Sequence, residues 1–324
     1  MKKLSIIILN YNSLGLVENC LKSFEKNPPK IDYEIIIANN DYDNQAFDEF
    51  SKGFPEIKFI QNSGNWGFSS GCNLGASVSD SEYLLFLNPD TLINKTPAID
   101  RMINILEIDN SVGVCGCRTI TSKGIGNELT WTSPWLLIRW IRLIHDIVNK
   151  SKNSKIFSED KNIWYPGFVG GSAISLRTND FNKVGGWSDS RYWMYCEDSD
   201  ICYKIEKNLN KRSALIRDCS INHIGGGASK IDKSSTLMLK LELIISTHNY
   251  IYQNSGTISK MIILPSYILK SLIPPIVKLL LSVVFFDRNR VHKYKYLTVG
   301  IAKYYLESIK RKTWKSKKLN ESVK

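Results

Sequence analysis

Along the first 120 positions, short unbroken apolar runs alternate with segments of helical spacing. The runs Leu4–Leu9, Tyr33–Ala38, Ile57–Gln61, Tyr83–Leu87 and Val112–Cys117 read as strands buried on both faces. Between the first two, Leu16, Val17, Cys20, Leu21 and Phe24 share one helical face, with Ser13 placed as an N-cap and Pro28-Pro29 beyond the end. Ile99, Met102, Ile103 and Leu106 mark a second helix after the fourth strand. This alternation predicts an α/β fold with a mostly parallel sheet flanked by helices. Ligands of such sheets bind beyond the carboxyl ends of the strands. A second stretch, 119–225, adds a helix-like run over Trp135–Lys150, a strand over Phe168–Leu176 and a helix starting near Glu197. From 226 to 324 the texture is helical and rich in aromatics and lysines, so a basic helical C-terminal region follows the α/β part.

Chemistry-bearing residues cluster at the predicted strand ends. Asn10-Tyr11-Asn12 follows the first strand and Asn39-Asn40-Asp41 the second, and neighbouring parallel strands bring the two together. Amides and carboxylates there suit a nucleobase and ribose, although Asn and Asp also serve as ordinary turn residues. The run Asn65-Trp66-Gly67-Phe68-Ser69-Ser70-Gly71-Cys72-Asn73-Leu74-Gly75 places glycines where backbone approaches closely, and an opening helix offers N–H groups to a diphosphate. It is neither a dinucleotide fingerprint nor a P-loop. Asn88-Pro89-Asp90 ends the fourth apolar run, and a lone carboxylate there suits a hard divalent cation or a cap. Glu197, Asp198 and Asp200 crowd one helix start, more acid than the dipole requires, and supply a candidate general base. His223 reads either as a metal ligand or as a surface histidine.

Composition sharpens this picture at two points. Seven cysteines without a CxxC pair argue against a disulfide framework or zinc cluster and fit a reducing compartment. The apolar run at the N-terminus is too short for an export signal. The net charge of +12 is concentrated near the end, where residues 287–324 hold twelve Lys or Arg against three acids. Such a surplus suits an anionic membrane face. It is the sole feature that would suit nucleic acid, and charge alone does not establish that class. Residues 261–286 are apolar on average but interrupted by Lys270, Lys278, Pro265, Pro274 and Pro275. An interfacial segment is therefore expected there, with a spanning helix the lesser reading.

In this order, the stretches SIIILNYN, NSGNWGFSSGCNLG, YLLFLNPDT, FVGGSAISLR, FNKVGGWSDSRYWMYCEDSDICYKI and INHIGGGAS resemble the family 2 glycosyltransferases of the GT-A fold, particularly bacterial rhamnosyltransferase-type members that build surface polysaccharide. The likeness covers residues 4–230 and implies a catalytic domain over 1–225, with a donor half at 1–118 and an acceptor half at 119–225. It further implies an inverting, metal-dependent transferase taking a dTDP- or UDP-linked sugar, with Mg²⁺ or Mn²⁺ as cofactor. The acceptor would be a glycan or a polyprenyl-diphosphate-linked lipid, met on the cytoplasmic face of a membrane. By this resemblance Asp90 is the metal-binding acid and Asn88 stands at the motif's first acidic position. Asp198 is similar to the catalytic base with Glu197 beside it, His223 helps hold the metal or diphosphate, and Asn65, Gly67, Phe68, Gly71 and Asn73 contact the donor. One departure is that Ala38 stands where the family usually has a base-binding Asp, leaving Asn39 or Asp41 to substitute. Two other readings compete. A nucleotidyltransferase needs a Gly-rich basic loop after the first strand, which Asn10–Gly15 lacks, and a catalytically silent sugar or lipid binder would not need both Asp90 and Asp198. Trp131, Trp135 and Trp140 with Arg139 and Arg142 suggest either a lid or docking helix for the acceptor or an amphipathic helix closing the core.

Overall fold

The computed structural model describes residues 2–42, 44–122, 124–126, 157–158, 162–224 and 233–320. The run Trp135–Lys150 and its aromatic and arginine residues lie outside them, as does Gly225–Gly227.

The apolar runs form the strands expected of them: β1 (Lys2–Asn10), β2 (Tyr33–Asn39), β3 (Lys58–Gln61), β4 (Ser81–Leu87) and β6 (Val112–Thr121), with the two-residue β5 (Thr91–Leu92) between the last two. Further strands are β7 (Gly124–Gly126), β8 (Phe157–Ser158), β9 (Ile163–Trp164), β10 (Ala173–Arg177) and β11 (Arg212–His223). The helices are α1 (Leu14–Lys26), α2 (Asn44–Ser51), α3 (Phe68–Ser77), α4 (Ala98–Ile108), α5 (Thr178–Lys183), α6 (Glu197–Leu209), α7 (Lys233–Asn254), α8 (Thr257–Val284) and α9 (Arg288–Arg311).

One sheet runs in the order β3-β2-β1-β4-β10-β6-β11-β9-β8. Strands β3, β2, β1 and β4 are parallel, β10 is antiparallel to β4 and β6, and β11 is parallel to β6. Alternation along β1 divides the core between the two faces. Leu4, Ile6 and Ile8 pack with Val17, Leu21, Phe24, Met102 and Leu106 of α1 and α4. Ile7 and Leu9 face the other way, toward Cys72 of α3, Phe181 of α5 and Ile201 and Ile205 of α6.

Two elements differ from the sequence expectation. The strand expected from Phe168 begins only at Ala173, because residues 168–172 form a loop that carries backbone groups to the site. The prolines expected to interrupt 261–286 instead sit inside α8, one continuous helix of 28 residues. Pro265 and Pro274 lie on its exposed side. A proline ring removes a ladder bond wherever it sits, and here the opposite face is packed: Ile263 and Tyr267 are buried, and Ser271 Oγ lies 2.6 Å from Tyr305 Oη of α9. By length and composition α8 qualifies as able to cross a membrane.

Candidate active site

At the carboxyl edge of β1 and β2 the register sets Asn10 beside Asn39. Both are fully buried, and Asn10 Nδ2 donates to Asn39 Oδ1 at 2.6 Å. Asn39 Nδ2 donates in turn to Gln61 Oε1 at 2.8 Å, while Asn10 Oδ1 accepts from the Ser13 amide at 3.1 Å. Asn40 Nδ2 donates to the Gly67 carbonyl at 2.8 Å and its Oδ1 accepts from Asn62 at 2.9 Å. Buried amides must be paired, and these pair with the protein itself. Expected at the base, Asn10, Asn39 and Asn40 form the framework of the edge, and the half-buried Tyr11 and Asp41 stand nearer its surface.

The glycine-rich stretch is also laced inward. Gly67 has φ +90°, and a Cβ there would sit 2.1 Å from the Trp193 carbonyl oxygen. That same carbonyl accepts from the Phe68 amide at 2.9 Å, and Asn65 Oδ1 accepts from the Gly67 amide at 3.1 Å. The first amide of α3, expected at a phosphate, is thus engaged by the segment that precedes Glu197. Gly71 lets α3 approach β1, since a Cβ would lie 2.2 Å from Leu9 Cδ1. Asn73, expected on the donor, bonds to the turn at 187–189: Nδ2 donates to the Trp187 carbonyl at 2.9 Å and to Asp189 at 3.0 Å, and Oδ1 accepts from the Trp187 amide at 2.9 Å. Phe68 packs edge-on against Trp187. For Gly71, Asn73 and Phe68, packing of α3 accounts for the residue type.

The acidic residues stand on two separate elements. Asp90, just past β4, is buried, and its Oδ1 lies 3.1 Å from His223 Nε2 at the end of β11. Pairing of Thr91 with His223 between β5 and β11, and the Ile224 amide on the Asp90 carbonyl at 2.9 Å, fix the two together. Asp198 stands in the first turn of α6, where its Oδ2 accepts from the Gly171 amide at 3.2 Å and Oδ1 from the Ser199 amide at 2.7 Å. The next residue, Ser172, accepts through its carbonyl from the Asn88 amide at 3.1 Å. Adjacent residues of one loop therefore tie down the Asn88–Asp90 turn and Asp198.

Residues 5–164 match the family model described as Glycosyl transferase family 2. That match covers just under half of the chain, and it is a likeness to the family. The chain is 26% identical over 224 residues to the low-salt glycan biosynthesis hexosyltransferase Agl10 of Haloferax volcanii, covering 68% of this chain and 67% of Agl10. It is 24% identical over 216 residues to the rhamnosyltransferase WbbL of Escherichia coli K12, covering 62% of this chain and 75% of WbbL. Among solved structures, the mannosyltransferase PcManGT of Pyrobaculum calidifontis, in complex with GDP-Man and Mn²⁺, superposes with a TM-score of 0.54 at 14% identity over 94% of this chain and 87% of that one. The architecture is the GT-A fold expected from the sequence.

The backbone ahead of the acids is strained. Tyr195 and Cys196 both occupy the left-handed region, at φ +72° and +67°, where a side chain costs roughly 1–2 kcal/mol per residue. Helix α7 holds the strained segment: Ser246 Oγ donates to the Met194 carbonyl at 2.7 Å and Asn249 Nδ2 to the Arg191 carbonyl at 2.9 Å. Asp200, the third acid of the cluster, is fully buried and accepts from Ser188, Tyr192 and Asn254 at 2.6, 3.2 and 3.2 Å. It is a structural anchor between α6 and α7.

Electrostatics separate the remaining two acids. Burial raises the Asp198 carboxyl above the ordinary aspartate range, partly opposed by the amides of Ser199 and Gly171 that favour its charged form. Glu197 is pushed up by burial first and by the Asp198 charge second. Its Oε2 is buried without a hydrogen-bond partner, consistent with a carboxyl kept neutral beside a charged one.

Among the described residues no cage of three or more His, Cys, Asp or Glu side chains exists. A dedicated cage is not what Mg²⁺ needs, since it is commonly held by one or two carboxylates together with substrate phosphates. Asp90 supplies one such carboxylate, while the His223 nitrogen 3.1 Å from it is a softer donor that suits a transition-metal ion better than Mg²⁺. Trp193, which sequence reasoning did not assign, matters through its carbonyl, and no side-chain pattern signals such a role. The glycine at 67 was the available hint.

Proposed function

We propose that this chain is an inverting, cation-dependent glycosyltransferase that passes a sugar from a nucleoside diphosphate to a hydroxyl acceptor. The observation carrying the proposal is that consecutive residues, Gly171 and Ser172, hold Asp198 and the Asn88–Asp90 turn. This shared support is what favours reading Asp198 as a base and Asp90 as a cation-binding acid of one site. Asp198 accepts the acceptor hydroxyl's proton as its oxygen bonds to the anomeric carbon, and the carbon–phosphate-oxygen bond breaks with its electron pair leaving on the diphosphate. Inversion follows from a single in-line displacement. Asp90 and His223 are the residues that would hold Mg²⁺ or Mn²⁺, which supplies charge neutralisation to the departing diphosphate. Tyr11 and Asp41 contact the nucleoside, on a frame built by Asn10, Asn39 and Asn40.

Likeness to WbbL over 75% of that enzyme supports rhamnose from a dTDP donor as the first sugar to try, with UDP-linked hexoses next. The acceptor we assign is a glycan or polyprenyl-diphosphate-linked saccharide in surface polysaccharide synthesis. The catalytic unit extends over 1–225 and the basic helices after it work on the cytoplasmic side of an anionic membrane. The test is a panel of nucleotide sugars incubated with purified protein. Hydrolysis or transfer of one donor class with Mg²⁺ or Mn²⁺, abolished by EDTA, is expected. Binding of a nucleotide sugar with no turnover of any donor under any cation would replace the enzyme with a silent sugar binder.

A further inference from the structure

Helix α8 has two unlike faces. Ile263, Tyr267 and Ser271, at a spacing of four, are buried against α7 and α9. Ile258, Ile262, Leu269, Ile273, Leu280 and Val284 lie on the opposite side and are all exposed. This outward stripe spans about 39 Å at the helical rise of 1.5 Å per residue, with no charged residue in it. The helix then ends at Phe285 and Phe286, 75% and 90% exposed, ahead of Arg288 and Arg290.

The charges of α8 stand on or beside its packed side, outside the stripe. Lys260 Nζ lies 4.5 Å from the Tyr252 ring centre, Lys270 5.9 Å from Tyr267, and Lys278 5.8 Å from Tyr294 of α9. With its cations held over ring faces on the packed side, α8 turns an uninterrupted apolar stripe outward, as does a helix seated at the headgroup–acyl boundary. The surplus of nine positive charges over 287–324 matches an anionic surface and opposes a second copy of the same basic face.

We infer that α8 is an in-plane membrane anchor, its outward stripe and the Phe285-Phe286 tip buried in the headgroup–acyl boundary of an anionic bilayer. This rests on the reading of the chain as a membrane-side transferase and names the element and its orientation. A span is disfavoured although α8 is long enough, because the helices that cover it would have to enter the bilayer with it. The inner face of α8 is covered by α7 and α9, and α9 carries Arg288, Arg290, Lys293, Lys295 and Lys303, which hydrocarbon excludes.

The test is flotation of the full chain with phosphatidylcholine vesicles containing or lacking 30 mol% phosphatidylglycerol, with donor hydrolysis read in the same samples. Wild type is expected to float with the anionic vesicles, at least ten-fold more weakly with neutral ones, and to be released by carbonate at pH 11. Leu269→Glu/Ile273→Glu/Leu280→Glu is expected to lose at least ten-fold in partitioning with donor hydrolysis kept, and Phe285→Ser/Phe286→Ser serves as an independent variant should the first not fold. No flotation of wild type, equal flotation of both variants, or resistance to carbonate would overturn the inference. So would a change confined to oligomeric state, which would make the stripe a contact between copies. Flotation without hydrolysis of any donor would instead count against the transferase reading alone.

Discussion

His223 Nε2 and Asp90 Oδ1 are 3.1 Å apart, although one residue ends β11 and the other follows β4. A buried carboxylate next to an imidazole is already a stable pair, so the contact alone does not require a cation. Cation titration of activity separates the two cases. His223→Ala is expected to need about 10–100-fold more Mn²⁺ for half-maximal rate, with the rate recovered at saturating metal. Asp90→Asn removes the charge proposed to face the cation and should not recover. A His223→Ala enzyme with the wild-type Mn²⁺ curve would leave the histidine a structural partner only.

Asp198→Asn tests the base directly. The Gly171 and Ser199 amides bond to different oxygens of Asp198, so the single asparagine oxygen keeps one of them and leaves the other amide facing Nδ2, at a stability cost of about 1–3 kcal/mol that urea denaturation separates from the kinetic effect. Loss of a general base is expected to lower kcat by about 10²–10⁴-fold, with donor affinity by calorimetry within about two-fold, because little binding surface is removed. The pH profile gives a second readout. The base works only when ionised, and burial raises its pKa, so kcat should fall as pH drops through a value above the ordinary aspartate range. An acidic limb at the unperturbed aspartate value, or a fully active Asn variant, would remove Asp198 from the chemistry.

Gly67 and Trp193 make a purely steric prediction. Alanine at 67 would have to hold φ +90° and place a methyl 2.1 Å from a carbonyl oxygen, so the backbone must shift. Overpacking of this kind costs about 1–3 kcal/mol, readable by urea denaturation. The shift falls on the carbonyl just ahead of the left-handed Tyr195-Cys196 pair, so kcat should drop more than the stability change alone explains. A Gly67→Ala protein as stable and active as wild type would show that the close contact carries no constraint.

These sites differ in how far the sequence reveals them. β1, β2 and β4 were legible because a parallel central strand is apolar on both faces, and α1 because Val17, Cys20, Leu21 and Phe24 repeat at helical spacing. Asp90 and Asp198 were legible as acids at strand and helix ends. The pairing of Asn10 with Asn39 was not, since an amide at a loop start looks the same whether it faces a ligand or a neighbouring strand. Asp200 sits among its acidic neighbours in the chain, yet a helix turns successive side chains about 100° apart, which sends Asp200 to Ser188 and Tyr192 and Asp198 to Gly171. The prolines of α8 read as breakers because sequence alone does not show a packed opposite face.

His248 makes the C-terminal helices sensitive to acid. The ring is fully buried, with Trp314 4.3 Å away edge-on and Tyr267 stacked at 5.9 Å. Tyr304 donates its one hydroxyl proton to the Trp314 carbonyl at 2.8 Å, so at the 3.3 Å contact between its oxygen and Nδ1 the histidine must be the donor. That leaves Nε2 as the unprotonated nitrogen, and it is buried without a partner. Protonation would place a charge there with nothing to accept from it, and burial accordingly lowers the pKa to about 3. Against an unfolded value of about 6.5, the unfolded chain binds the extra proton between those limits. Stability should be intact above about pH 6.5 and decline as pH falls toward 3, by up to about 1.4 kcal/mol per unit. The raised carboxyls of Asp198, Glu197 and Glu242 have the opposite sign, so the comparison must be with a variant lacking only the imidazole. His248→Asn should be less stable than wild type at pH 7.5, with a gap that narrows steadily down to pH 5. A constant gap across that range would mean that the ring titrates alike in the folded and unfolded chain.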